Sequence, residues 1–172
     1  MIITLVTSAA SSGQGIYVTL SAWPSPVLLD SLRQDHRIAA HPGAVYSAVQ
    51  QAFGDLGLPV ANTDSKVGII ATGLFERSRR IADAAMARSF NCGDSSVGAP
   101  NADTYRLSIA VAAWVRPDTA GGTALGLAAT ASGVDASGAR RGAHGCFSTG
   151  GLEEKIVAAV NKRLRSGPDV SR

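Results

Sequence analysis

Two alternating runs separated by a turn dictate the centre of any fold this chain adopts. Tyr105, Leu107, Ile109, Val111, Ala113 and Val115 alternate with Arg106, Ser108, Ala110, Ala112 and Trp114. A period of two puts the first set on one face of a strand, and a strand with one apolar face must bury that face. Residues 116–122, Arg-Pro-Asp-Thr-Ala-Gly-Gly, read as a turn, and residues 123–132 return as a second alternating strand carrying Leu125 and Leu127. A long antiparallel hairpin is therefore the expected centre of the molecule.

The flanking segments supply what can cover it. From Pro42, a residue suited to the first helical position, Val45, Ala48, Val49, Ala52, Phe53 and Leu56 recur at spacings of three and four until Gly57. A second helix is expected over residues 152–164, with Leu152, Ile156, Ala159, Val160 and Leu164 on one stripe. Glu153 and Glu154 stand at its positive end, and Lys162, Arg163 and Arg165 at its negative end. Residues 58–64 and 67–74 look like two short strands joined by a polar turn, and residues 143–147 like a last strand. Residues 75–90 are ambiguous: the composition of residues 82–88 favours a helix, whereas a bend and then a strand running into Cys92, the preferred reading, would extend the sheet; residues 93–101 fit a loop.

Upstream of the first helix, residues 16–20 suggest a short edge strand that Trp23-Pro24-Ser25-Pro26 ends, followed by a polar lead-in with Asp30, Arg33, Asp35, His36 and Arg37. The order implies an α+β fold: a single antiparallel sheet with two amphipathic helices, the first and last elements, packed on one face. The other face would be left open to water or to a partner. By domains, residues 1–40 read as a flexible or partly extended arm, 41–165 as one α+β domain and 166–172 as a disordered tail.

Composition agrees with one compact unit and narrows the chemistry. With 172 residues, 45% of them hydrophobic and 17% charged, the chain belongs with globular proteins rather than charge-rich disordered ones. Aromatics make up 5%, so small side chains must fill most of the core. A net charge of +3 permits weak attraction to anionic surfaces but is too small to argue for a nucleic-acid partner. Arginines cluster loosely at Arg77, Arg79, Arg80 and Arg88, a candidate anion-binding group, with a second pair at Arg140 and Arg141. Neither group is interleaved with aromatics, as a stacking surface for single strands requires. No run is long and pure enough to span a bilayer. Residues 2–10 have the flavour of an apolar signal core without the basic residues that should precede one, and no cysteine follows at a lipid-attachment position.

Cys92 and Cys146 make an even pair. In an exported protein the simplest reading is one disulfide, worth roughly 3 to 4 kcal/mol on the chain-entropy model; in a reducing compartment the same residues are two buried thiols. Residues 144–151, His-Gly-Cys-Phe-Ser-Thr-Gly-Gly, place a cysteine and several backbone amides just before a helix start, a geometry that lowers a thiol pKa and can hold an anion. A cysteine-dependent phosphatase loop would need an arginine where Leu152 stands. The plainer reading is a cap and a tight turn. His144, Cys146 and Cys92 are one ligand short of a closed zinc site, with His41, His36 or Asp103 as fourth candidates. No serine elbow, phosphate-cradling lysine loop or dinucleotide glycine fingerprint is present, so no catalytic residue and no cofactor is assigned.

The ending Cys146-Phe147-Ser148-Thr149-Gly150-Gly151-Leu152-Glu153-Glu154-Lys155-Ile156 resembles that of small exported bacterial domains in which an earlier stretch, here Asn91-Cys92-Gly93, supplies a partner cysteine. The order of elements also resembles the helix-grip domains found in a lipoprotein of the outer-membrane β-barrel assembly machinery. The resemblance implies an envelope or secreted domain, a Cys92–Cys146 bridge and a binding or structural role toward another envelope protein. It implies no catalytic residue.

Overall fold

The computed structural model describes residues 15–138 and 140–166. The segment read as a signal core and the residues beyond 166 lie outside that range. Strands β1 (Tyr17–Val18) and β2 (Val27–Leu28) form a small ribbon, followed by a 3-10 turn at Leu29–Leu32 and by β3 (Gln34–Ile38). Helix α1 (Pro42–Asp55) leads to β4 (Val60–Asp64), β5 (Ile69–Thr72) and β6 (Phe75–Ser78). A second ribbon, β7 (Arg80–Ile81) with β8 (Ala84–Ala85), precedes β9 (Phe90–Asn91). The hairpin strands β10 (Tyr105–Pro117) and β11 (Thr123–Asp135) come next, then β12 (Ala143–Ser148) and helix α2 (Gly151–Ser166).

The hairpin is the spine of an eight-stranded antiparallel sheet. It keeps one continuous register from Tyr105↔Asp135 to Pro117↔Thr123. Both flanks are shared. Along β10, Arg106–Ile109 pair with β6 and Ala112–Trp114 with β5, which in turn pairs with β4. Along β11, residues 123–127 pair with β3 and residues 130–134 with β12, which carries the short β9 on its outer side. Glycine is required where the hairpin turn closes: Gly122 has φ +88°, and a Cβ there would lie 2.7 Å from the Ile38 carbonyl oxygen.

Helix α1 begins as its sequence dictates. Pro42 opens it and the His41 imidazole Nδ1 accepts from the Gly43 N–H at 3.1 Å. It ends at a left-handed Gly57, where the Leu58 N–H reaches back to the Phe53 carbonyl at 2.8 Å. Val45, Val49, Phe53 and, from α2, Leu152, Ile156 and Val160 join Leu107, Ile109, Val111, Leu125 and Leu127 in one buried cluster. The Asp55 carboxylate pairs with Arg163, tying the end of α1 to α2.

The α+β class, the two helices and the antiparallel pairing stand; the single sheet with helices as first and last elements does not. Two ribbons lie apart from the main sheet, and three strands precede α1. The polar lead-in is β3, an edge strand in which Ile38 alone is buried, so its sequence carried almost no apolar alternation. The face expected to be open is largely covered. Leu29, Ile16 and Val18 from the N-terminal stretch pack on Ala71, Ala110, Ala112, Trp114 and Ala128 in a second cluster. That stretch is pinned by the Ile16 N–H on Asp30 Oδ2 at 2.7 Å and the Leu29 N–H on the Ile16 carbonyl at 2.8 Å.

Candidate functional site

The chemistry-bearing residues converge on the corner formed by β9, β12 and the start of α2. Pairing of Phe147 with Asn91 and Ser148 with Phe90 sets Cys146 opposite Cys92, and the two are joined by a disulfide with Cα atoms 4.3 Å apart. Cys146 is fully buried at 0% exposure and Cys92 half-buried. With both sulfurs in the bridge, no free cysteine remains.

Beside the bridge the Tyr105 ring lies across Gly133 of β11, where a Cβ would come within 2.8 Å of Tyr105 Cδ2. It meets the His144 ring of β12 in a tilted contact, centroids 5.7 Å apart. Tyr105 Oη, His144 Nε2, Ser89 Oγ and the nearby Trp23 Nε1 are buried without a hydrogen-bond partner among the described residues. Groups left so are costly, and they mark this corner as the least satisfied part of the interior.

Residues 144–151 do not form an open anion cradle. The Ser148 hydroxyl donates to the Glu153 carboxylate at 2.7 Å and accepts from the Gly150 N–H at 3.0 Å. The Thr149 hydroxyl donates to the Arg88 carbonyl at 2.7 Å, and its N–H to the Ser89 carbonyl at 3.0 Å. Gly151 is compelled by close approach, since a Cβ there would sit 2.0 Å from the Arg88 oxygen. Glu153, 1% exposed, places its own carboxylate at the helix N-terminus, where an external anion would otherwise be favoured. Leu152 is in the core.

The zinc candidates are dispersed. His41 caps α1, His36 lies on β3 opposite Leu125 of β11, and the Asp103 carboxylate accepts from the Ala87 N–H at 2.8 Å. Among the described residues no group of three or more His, Cys, Asp or Glu side chains could hold a metal ion. The arginines read as an anion group are exposed but serve separate parts of the fold. Arg77 donates to the Gly57 carbonyl at the end of α1 at 2.9 Å and lies over the Phe75 ring. Arg80 donates to the Asp83 carbonyl within the β7–β8 ribbon at 2.6 Å, Arg79 holds a left-handed φ of 65°, and Arg88 ends a 3-10 turn beside α2.

On the outer face of the same corner stands an aromatic group that no sequence motif marks. Gly145 and Phe147 alternate with His144 and Cys146, so they point away from the helices. The Trp23 ring covers Gly145, where a Cβ would lie 2.5 Å from Cζ2, and meets Phe147 edge-on with centroids 5.6 Å apart. Phe147 is 64% exposed. Strict alternation over residues 143–147 already implied an outward Phe147; the partner Trp23 had no such signal, because Pro24 and Pro26 hide it in an irregular segment. In the adjoining turn, hydrogen bonds from the Ser137 hydroxyl, then from the Ser137 N–H, hold the Asp135 carboxyl below its ordinary value.

Two shallow grooves lie at the far end of the sheet. One of about 750 Å³ is lined by Arg37, His41, Pro42 and Gly122, among others, and Arg37 is neutralised there by Asp118 at 2.9 Å. The other, about 330 Å³, runs between Tyr46, Lys66 and Arg116. No protein-family model matches the chain, and no match was found among curated proteins or solved structures.

Proposed function

We propose that this chain is an extracytoplasmic, non-enzymatic domain that binds or braces another component of the cell envelope. The observation that carries the reading is the Cys92–Cys146 disulfide, which ties the two-residue strand β9 to the last strand of the sheet. A bridge enclosing a sequence separation of 54 contributes roughly 4 kcal/mol on the chain-entropy model, and such bridges persist in oxidising compartments. Its sulfurs serve the fold, which leaves no thiolate for nucleophilic chemistry while the bridge is intact.

No helix is long and apolar enough to cross a membrane among the described residues, so the partner is sought on the surface of the domain. Intact-mass analysis of protein purified from its native compartment, alkylated before and after reduction, tests the reading. The expected result is no label before reduction and two labels after it. Two labelled thiols without reductant overturn it.

A further inference from the structure

We infer that the outer face carrying Trp23 and Phe147 is a docking surface for an anionic phospholipid bilayer. The inference rests on the envelope function proposed above and names the chemistry of the partner. Of the chain's two Trp, three Tyr and four Phe residues, Tyr17 and Phe147 alone are exposed, at 62% and 64%. Both lie on the side of the sheet opposite the helices. Val18 packs inward on the second cluster, so its neighbour Tyr17 points out of the same layer. Phe147 stands on that side too, against the Trp23 ring.

Basic side chains edge this aromatic surface. Arg106 lies on the same face of β10, where it meets the Glu76 carboxylate at 3.7 Å with both groups exposed. The β11–β12 turn adds Arg140 and Arg141, both exposed and neither in an ion pair among the described residues. Asp135, the acid of that turn, accepts from Ser137 and from the Arg140 N–H and feels the Arg140 charge weakly, which leaves Arg141 the less compensated of the two. Aromatic rings at headgroup depth with arginines reaching lipid phosphates is the pattern of an interfacial protein.

Nucleic acid fits less well. Trp23 lays its ring face on Gly145 and meets Phe147 edge-on, so no paired stacking platform is free for bases. A protein partner would need a concavity for its anchors, and the grooves lie at the other end of the sheet, around His41 and Tyr46.

The test is co-sedimentation of the disulfide-intact full chain with extruded vesicles of phosphatidylglycerol and phosphatidylcholine, against phosphatidylcholine alone. Binding is expected to the anionic vesicles at low salt and not to the neutral ones. The double variant Arg140→Glu, Arg141→Glu should weaken it by at least about tenfold. Phe147→Ser should weaken it by about five- to tenfold in a chain that keeps its disulfide and its circular dichroism spectrum. Val67→Ser, which alters an exposed apolar residue of the β4–β5 turn beside the groove at the other end of the sheet, should leave it unchanged.

Failure to sediment with anionic vesicles at low salt overturns the proposal. So does binding indifferent to Phe147 and the two arginines, or binding to single-stranded DNA with the same dependence on those residues. The thiol count is measured separately: a chain that carries the bridge but ignores these vesicles loses this inference and keeps the envelope function.

Discussion

On the helix side of β10 and β11 the strands present Leu107, Ile109, Val111, Leu125 and Leu127 together with Ala113, Ala129 and Ala131; on the other side the same strands present Ala110, Ala112, Trp114 and Ala128. The covering layers differ in the same sense. Two regular helices, whose knobs need large partners to fill the gap, sit on the first face. An irregular stretch with short strands and a 3-10 turn lies on the second, where small residues let its backbone come close. Close approach is visible at Gly126, where a Cβ would be 2.4 Å from Arg33 Cδ, as it is at Gly145 under Trp23. On the second face Trp114 is the one large side chain these two strands add to the buried cluster, and the small residues around it admit a second layer without a third helix.

The largest effect should come from the helix side. Phe53→Ala, at a site with no solvent exposure, is expected to cost about 3–5 kcal/mol, read from the denaturant midpoint at constant slope. Leu29→Ala on the arm side should cost less, about 2–3 kcal/mol, because fewer large groups surround it. Hydrogen exchange tells the two faces apart. Amides of residues 16–29 should lose protection in Leu29→Ala while those of α1 keep theirs; equal loss in both would mean that the two faces open as one unit.

Gly145→Ala should cost about 1–3 kcal/mol by pushing the Trp23 ring off the sheet, with a red shift of its emission. Unchanged emission would show that the arm gives way elsewhere. The smallest effect concerns the helices alone. A hydrogen bond from Arg163 holds the Asp55 carboxyl below its ordinary value of 3.8. A depressed carboxylate value means that its stabilisation is complete above the unfolded value and is lost as pH falls through the folded one. Asp55→Asn should therefore flatten the decline of the denaturation midpoint below about pH 4, modestly, since both partners are exposed. An identical acid limb in both proteins would remove the pair from the account of how α1 and α2 are joined.

The helix side was legible because it obeys simple periods. Alternation marked residues 105–115, and they lie in β10; spacings of three and four from Pro42 marked α1, which ends at Asp55. The arm side was not legible, because its contacts are made by isolated residues. Leu20 and Leu29 are buried at 1% and 2% with no period linking them, and two prolines between them argued for a loop. Residues 75–90 were harder still. The chain there breaks into β6, the β7–β8 ribbon, a 3-10 turn and β9, and Ala82 and Asp83 take left-handed φ values of 46° and 59° at the ribbon turn. Tertiary packing decides that turn, since Ile81 and Ala82 are buried in the main core while Ala82 is a residue type that announces no positive φ. In the candidate site, Cys92 and Cys146 could be paired from count alone, whereas the Ser148–Glu153 contact and the Tyr105–His144 pair needed register across three strands.

The bridge also orders the making of the molecule. Cys92 emerges from the ribosome 54 residues ahead of Cys146, so oxidation has no intramolecular mate until the final strand has been synthesised and threaded into place beside β9. A copy cut short anywhere in between carries a lone sulfhydryl. Completed and aborted chains are thereby chemically distinguishable to any thiol-reading quality-control system they meet.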